Sequence, residues 1–322
     1  MPQFDLPLSE LERYAPPHEE APDFDEFWRR TLAEQDERHP LEVTCTPVDT
    51  GLTQVATDDV TFTGFGGQPI KAWLHRPAGA TEPLGCVVTY IGYGGGRGLS
   101  HEHTLLAQAG HAVLVMDNRG QGTGNRVGDT GDAFSTGASA PGFLTSGIDS
   151  PETYYYRRLF TDAVRAVQVA RRDPRVDPGR VMVSGGSQGG AISLAAAALS
   201  EGLRGAIVDV PFLAHVRRAT ELTDAAPYSE LVRYLHAHRD RVERTFRTLS
   251  YFDGVGFAAR VTVPGLFSVG LRDEICPPSA VYAAFNAYAG EKEIKVYAYN
   301  GHEHGGSYQE AEHIRFARRV LG

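Results

Sequence analysis

The chain has 322 residues, enough to bury a sizeable core, and a net charge of −9 with no basic stripe for phosphate contacts, which argues against a nucleic-acid-binding role. No uninterrupted apolar run is long enough to span a bilayer. Its three cysteines, Cys45, Cys86 and Cys276, are few, far apart and odd in number, so the expectation is reduced thiols and a cytoplasmic protein, and residues 1–5 lack the basic and apolar regions of a signal peptide.

In chain order, residues 22–37 read as an amphipathic helix with Phe24, Phe27, Trp28 and Leu32 at helical spacing, an aromatic anchor onto the main body. Two strands follow, 59–63 and 70–76, joined by a glycine-rich turn that suits an antiparallel start to a sheet. From Gly85 onward strands and helices alternate, which predicts a mostly parallel sheet with helices on both faces. The glycine- and serine-rich stretch 122–150 reads as a long loop near the site. Residues 151–172 read as a helix, its Tyr154, Tyr155 and Tyr156 as packing or subunit contacts, its Arg157 and Arg158 as a salt-bridged face. One α/β domain is expected over 1–322, with an N-terminal helical extension (1–40) and a helical insertion (212–259).

The chemistry begins at Gly185-Gly186-Ser187-Gln188-Gly189, between the apolar run 180–184 and an alanine-rich helix over 191–200. A strand, a sharp turn of small residues and a helix make a nucleophile elbow, which lifts a serine hydroxyl to the carboxyl edge of a sheet. Such a serine needs a base, and the base an orienting carboxylate. Both follow in the order of an α/β-hydrolase, acid before histidine. The strand 263–270 leads directly to Asp273 and Glu274; Asp273 lies nearer the strand end and its carboxylate is shorter and stiffer, so it is the preferred acid. After the alternating strand 294–299 come His302 and His304, two apart and both within reach of Ser187 in an extended loop; His302 follows the strand more closely, and His304 reads plainly as a solvated loop histidine. The backbone N–H of Gln188 is the first expected oxyanion donor, and a second should come from the loop 91–94. Arg119, after the strand 111–117, reads as a brace for active-site loops, and Asp117 precedes the serine and falls outside the triad order. His101-Glu102-His103 and His302-Glu303-His304 raise a metalloenzyme reading, but neither has the i, i+4 spacing of a helical zinc site, so no metal and no cofactor is expected. A peptidase of the same fold and a non-catalytic hydrolase-fold binding protein are the alternatives; the intact Ser187, Asp273, His302 set speaks against the second.

Three motifs, Arg119-Gly120-Gln121, Gly185-Gly186-Ser187-Gln188-Gly189 and His302-Glu303, together with the stretches 90–98, 153–158 and 209–212, resemble carbohydrate esterase family 7, the acetyl xylan esterases and cephalosporin C deacetylases. The likeness runs over nearly the whole chain and implies an α/β-hydrolase fold with Ser187 as nucleophile, Asp273 as acid and His302 as base. It also implies Tyr93 as the second oxyanion donor, a supporting role for Arg119, Gln121 and Glu303, and, with topology, Tyr93, Pro211 and Phe212 as pocket wall. Small acetylated sugars and cephalosporins are the implied substrates, and a homohexamer with sites facing an internal cavity the implied assembly. His304 and Glu274 depart from the family pattern, which usually has glycine and a neutral polar residue there.

Overall fold

The central strands are apolar on both sides of the backbone, and each side meets its own layer of helices. In β5 (Ala112–Met116), Ala112, Leu114 and Met116 point into one core while Val113 and Val115 point into the other, the period-2 signature of a strand buried on both faces. The computed structural model describes residues 3–124, 126–133 and 142–322. Among these, nine strands form one sheet: β1 (Val43–Val48), β2 (Val55–Thr63), β3 (Pro69–Pro77), β4 (Leu84–Tyr90), β5, β6 (Val176–Gly186), β7 (Ala206–Asp209), β8 (Gly265–Gly270) and β9 (Lys292–Tyr297). Their order is β1-β2-β3-β5-β4-β6-β7-β8-β9. The pairs β1/β2, β2/β3 and β3/β5 are antiparallel and the rest parallel. This is the mostly parallel α/β-hydrolase sheet, with its antiparallel strands at the N-terminal end.

The helices are α1 (Leu8–Leu11), α2 (Phe24–Arg38), α3 (Leu105–Gln108), α4 (Tyr155–Arg172), α5 (Gln188–Leu199), α6 (Val216–Leu222), α7 (Tyr228–Ala237), α8 (Val242–Leu249), α9 (Gly254–Ala258), α10 (Pro278–Ala287) and α11 (Ser307–Leu321). α3 and α11 cover one face of the sheet through Leu106, Phe316 and Leu321; the larger core on the other face takes α2, α4, α5, α9 and α10. α6 to α9 fill the stretch between β7 and β8. Phe27 and Trp28 of α2 meet Phe252 edge to face, and Trp28 Nε1 donates to the Tyr251 carbonyl at 2.9 Å, so the aromatics do anchor the N-terminal helix to the body.

Several readings of the sequence need correction. β1 was not expected: Val43-Thr44-Cys45-Thr46-Pro47-Val48 is short, exposed and interrupted by proline, and only its pairing with β2 makes it a strand. α5 starts at Gln188, directly after the serine. Tyr154, Tyr155 and Tyr156 are fully buried, so they are packing residues and offer no subunit surface. Arg157 and Arg158 do form ion pairs, Arg157 with the partly exposed Glu34 at 3.9 Å and Arg158, only 2 % exposed, with Asp132 at 2.6 Å inside the protein. Of the loop 122–150, residue 125 and residues 134–141 lie outside the described residues. All three cysteines are free, and among the described residues no helix is long and apolar enough to cross a membrane.

Candidate active site

Ser187 sits between the end of β6 and the first residue of α5 with φ 57° and ψ −120°. A non-glycine residue holds such a conformation only where its surroundings fix it. Here its N–H donates to the Asp209 carbonyl at 2.9 Å, and its carbonyl accepts from Phe212 N at 3.0 Å and Ala191 N at 3.1 Å. The flanking glycines are obligatory: a Cβ on Gly185 would stand 2.3 Å from the Gly189 carbonyl oxygen, and one on Gly189 would stand 2.3 Å from that of Tyr90. The strand, the turn and the helix thus pass one another at backbone contact.

Asp273 lies just past β8 and is fully buried. Its Oδ1 accepts from the N–H groups of Ile275 and Cys276, both at 2.9 Å, which leaves Oδ2 to meet His302 Nδ1 at 2.9 Å. The loops carrying the two residues are tied together, Leu271 N to the Tyr297 carbonyl and Arg272 N to that of Asn300, each at 3.0 Å. Glu303 braces the histidine loop by accepting from Asn300 Nδ2 at 2.8 Å and Gly301 N at 2.9 Å. Glu274 is half-buried, and its carbonyl accepts from the Thr223 hydroxyl. Cys276 lies against the Ser187 side chain, and burial pushes its thiol well above the ordinary range, so it stays neutral beside the serine. His304 is not a solvated loop residue: it is half-buried over Gly186, with φ 50° and a buried Nδ1 that has no hydrogen-bond partner among the described residues.

Gln188 opens α5, where helix geometry leaves the N–H without an intrahelical acceptor. Its side chain and that of Gln121 exchange hydrogen bonds at 3.0 and 3.2 Å; Tyr156 donates to Gln188 at 2.9 Å, and Gln121 Oε1 accepts from Gly94 N at 2.7 Å. Gln121 therefore links the nucleophile turn to the loop that carries Tyr93. Arg119 is fully buried in a bidentate pair with Asp162 at 2.6 and 2.8 Å, and its carbonyl accepts from Tyr155 at 2.6 Å. Both residues brace loops. Asp117 does the same, accepting from the N–H groups of Arg97, Asp129 and Thr130.

Ser187, His302 and Tyr93 line one cavity of about 540 Å³, together with Ala226, Pro227 and Ile275. Pro211 and Phe212 are not on its wall: Phe212 is fully buried, behind Tyr93 at a ring distance of 5.9 Å and against Tyr228 at 4.7 Å. The cavity continues past Ser187 to His103, which the sequence offered only as part of a metal cluster, and to Arg126, Glu310 and His313, which no sequence pattern singled out. Of the other histidine cluster, Glu102 pairs with Arg126 at 3.7 Å, and burial holds the His103 imidazole down at about 4, hence neutral. Among the described residues no three His, Cys, Asp or Glu side chains are arranged to hold a metal ion.

The family model for acetyl xylan esterase (AXE1) matches residues 1–320. An acetyl xylan esterase from Paenibacillus sp. R4 superposes with a TM-score of 0.92 at 36% identity, over 98% of this chain and 100% of that one. Acetyl xylan esterase 1 from Thermoanaerobacterium sp. JW/SL YS485 gives 0.91 at 31% identity, over 99% and 100%. The acetyl esterase Axe7A of Xylanibacter ruminicola is 29% identical over 306 residues, 87% of this chain; the chain spans 63% of that protein's length. An acylaminoacyl peptidase from Pyrococcus horikoshii, TM-score 0.59 at 16% identity over 84% of this chain and 42% of that one, shares the fold alone. With its elbow, buried acid and facing histidine on that sheet, the chain belongs to the acetyl xylan esterase family of carboxylic ester hydrolases.

Proposed function

We propose that the protein is a serine esterase that removes acetyl groups from acetylated xylo-oligosaccharides and cephalosporin C-type esters by way of an acetyl-enzyme. The 2.9 Å contact between Asp273 Oδ2 and His302 Nδ1, at the cavity that Ser187 lines, carries the reading. Asp273 holds the tautomer with the proton on Nδ1, so Nε2 is the base. As Ser187 Oγ attacks the acetyl carbonyl, His302 takes its proton, and the N–H groups of Gln188 and Tyr93 receive the developing oxyanion. Collapse expels the alcohol, which regains the proton from His302 and leaves acetyl-Ser187. Water, deprotonated by the same imidazole, then releases acetate.

Tyr93, Pro227 and Ile275 line the cavity together with the serine, which is compatible with a pocket fitted to a short acyl group. Ser187→Ala is expected to lower kcat on an acetyl ester by about 10⁴-fold or more with an unchanged circular dichroism spectrum; near-normal rates would overturn the assignment. Among acetyl, butyryl and octanoyl esters of one alcohol, acetyl should turn over fastest, and a preference for octanoyl would contradict the pocket. A stretch of 143 residues, 42% of this chain and 18% of the relative, is 28% identical to an uncharacterized peptidase of Bacillus subtilis. An acetyl anilide hydrolysed as fast as the matched ester would favour that second reading.

A further inference from the structure

The nucleophile turn, the acid and the base come from three separate parts of the chain, and one buried residue ties the three together, the turn through its backbone carbonyl and the other two through its side chain. Asp209 ends β7, and its backbone carbonyl accepts the Ser187 N–H at 2.9 Å. Its carboxylate is 1% exposed. Oδ1 accepts from Ser268 Oγ at 2.7 Å and from Gln309 Nε2 at 2.7 Å, and Oδ2 meets His313 Nε2 at 2.6 Å. Ser268 belongs to β8, the strand that delivers Asp273. Gln309 and His313 belong to the first turns of α11, which begins just beyond the His302 loop. Val210, next in the chain, is a β-branched residue at φ 35°, a strained backbone that persists only where its neighbours over-determine it.

We propose that Asp209, locked by His313, is a positioning residue for the ester hydrolysis: the pair fixes the nucleophile turn relative to the strand of the acid and the helix behind the base. This rests on the assignment of Ser187, Asp273 and His302 given above. Neither residue of the pair takes part in bond making. A buried carboxylate with neutral donors alone is costly, and His313 is the partner that can supply a compensating charge.

The groups around His313 are Asp209 from β7, His304 from the preceding loop, Glu310 from its own helix and Tyr297 from β9, with His103 and Arg126 lining the same cavity. Burial opposes charge on both partners, yet the pairing outweighs it, so the Asp209 carboxyl is held below its ordinary range and the His313 imidazole above its own. Asp209 therefore stays ionised until the pH falls through its depressed value. His313 contributes fully below the ordinary imidazole value, and its contribution is lost as the pH rises through the raised one. The lock is therefore complete below the ordinary imidazole value and opens as the pH rises through the raised value of His313.

The test compares wild type with His313→Gln, His313→Phe and Asp209→Asn in the full chain. The readouts are kcat and KM on p-nitrophenyl acetate across pH 5.5–10, thermal melting, and the rate at which a fluorophosphonate labels Ser187. Wild-type kcat should fall at alkaline pH. His313→Gln keeps a donor but no charge, so it should lose about tenfold to a hundredfold in kcat and in labelling rate at pH 6.5, with KM within twofold and the alkaline fall abolished. His313→Phe and Asp209→Asn should lose at least as much. A folded His313→Gln with wild-type kcat, labelling rate and pH profile would overturn the proposal, whatever the fate of the harsher variants. Wild-type protein in which the probe does not label Ser187 would overturn the triad, and this proposal with it; labelled Ser187 with rates indifferent to His313 overturns the proposal alone.

Discussion

At Ser187 a left-handed backbone is held by three hydrogen bonds and two glycines with no room for a side chain. Gly189→Ala places a methyl 2.3 Å from the Tyr90 carbonyl oxygen, which is backbone and cannot swing away. The variant should lose about 3 kcal/mol or more, read as a lower denaturation midpoint, and most of its activity; wild-type behaviour would mean that the turn is looser than described. The thiols give a second check. Cys45 is exposed whereas Cys86 and Cys276 are buried, with Cys86 pushed up to about 12 by burial. A disulfide reagent should therefore titrate one thiol in the native protein and three in denaturant, and blocking Cys45 should leave esterase activity unchanged. Inactivation with loss of a single thiol would place a reactive cysteine at the site. The elbow, Asp273 and His302 were legible because each is announced by its own few neighbours: a strand, then a glycine or a turn. The Asp209–His313 pair was not: Asp209 opens the stretch 209–212 that carries part of the family likeness, but nothing local tells that its carboxylate meets a histidine 104 positions away.

Elements were legible where packing follows periodicity and illegible where tertiary contact overrides it. β4, β5, β6 and β8 read as apolar runs because both of their faces are covered, whereas β9, half-buried at the sheet edge, read by alternation. α4 misled in part: Arg157 and Arg158 read as a salt-bridged face, and they do pair, but both are buried, as is Arg165 further along, 1% exposed with donors on the carbonyls of Thr63 and Gln35 at 2.9 and 2.7 Å and on Asp36. The helices between β7 and β8 reach the site, as an insertion placed there in this fold commonly does, but through a contact that no sequence pattern announced. Glu230 of α7 is 6% exposed and accepts from the Tyr93 hydroxyl at 2.7 Å, while that hydroxyl accepts from Phe143 N at 2.6 Å. Burial raises the Glu230 carboxyl, and Tyr93 and Leu144 hydrogen bonds only partly offset this. α7 thus holds the residue assigned to the oxyanion site. Glu230→Ala and Tyr93→Phe should each lower kcat by about tenfold with KM little changed, and the double variant should lose no more than the worse single one. Strictly additive losses would show that the two side chains act independently.

At the scale of the whole molecule, the proposed homohexamer makes a claim about substrate size that the isolated chain does not. The chain exposes Leu99, Val127, Tyr299 and Tyr308, at 56, 54, 86 and 83%, and singly exposed apolar side chains are ordinary, but two nearly bare tyrosines on either side of the His302 loop leave contact surface close to the site. The buried tyrosines of α4 contribute none of it. If copies pack so that the cavities open inward, the alcohol part of a substrate meets a shared chamber rather than bulk water. The acyl group is then selected at Ser187 and the alcohol by whether it can enter. Light scattering should therefore give about six times the 35.0 kDa of one chain at micromolar concentration, and acetylated xylo-oligosaccharides should be hydrolysed at least about tenfold faster per acetyl group than intact acetylated xylan, on the same dependence of reaction on access. A mass of one chain would remove the assembly. A hexamer that deacetylates polymer and oligomer at equal rates would keep the assembly and remove the gating, and substituting Tyr299 and Tyr308 by aspartate separates the cases: dissociation by that double variant should raise activity on the polymer while leaving p-nitrophenyl acetate hydrolysis within twofold.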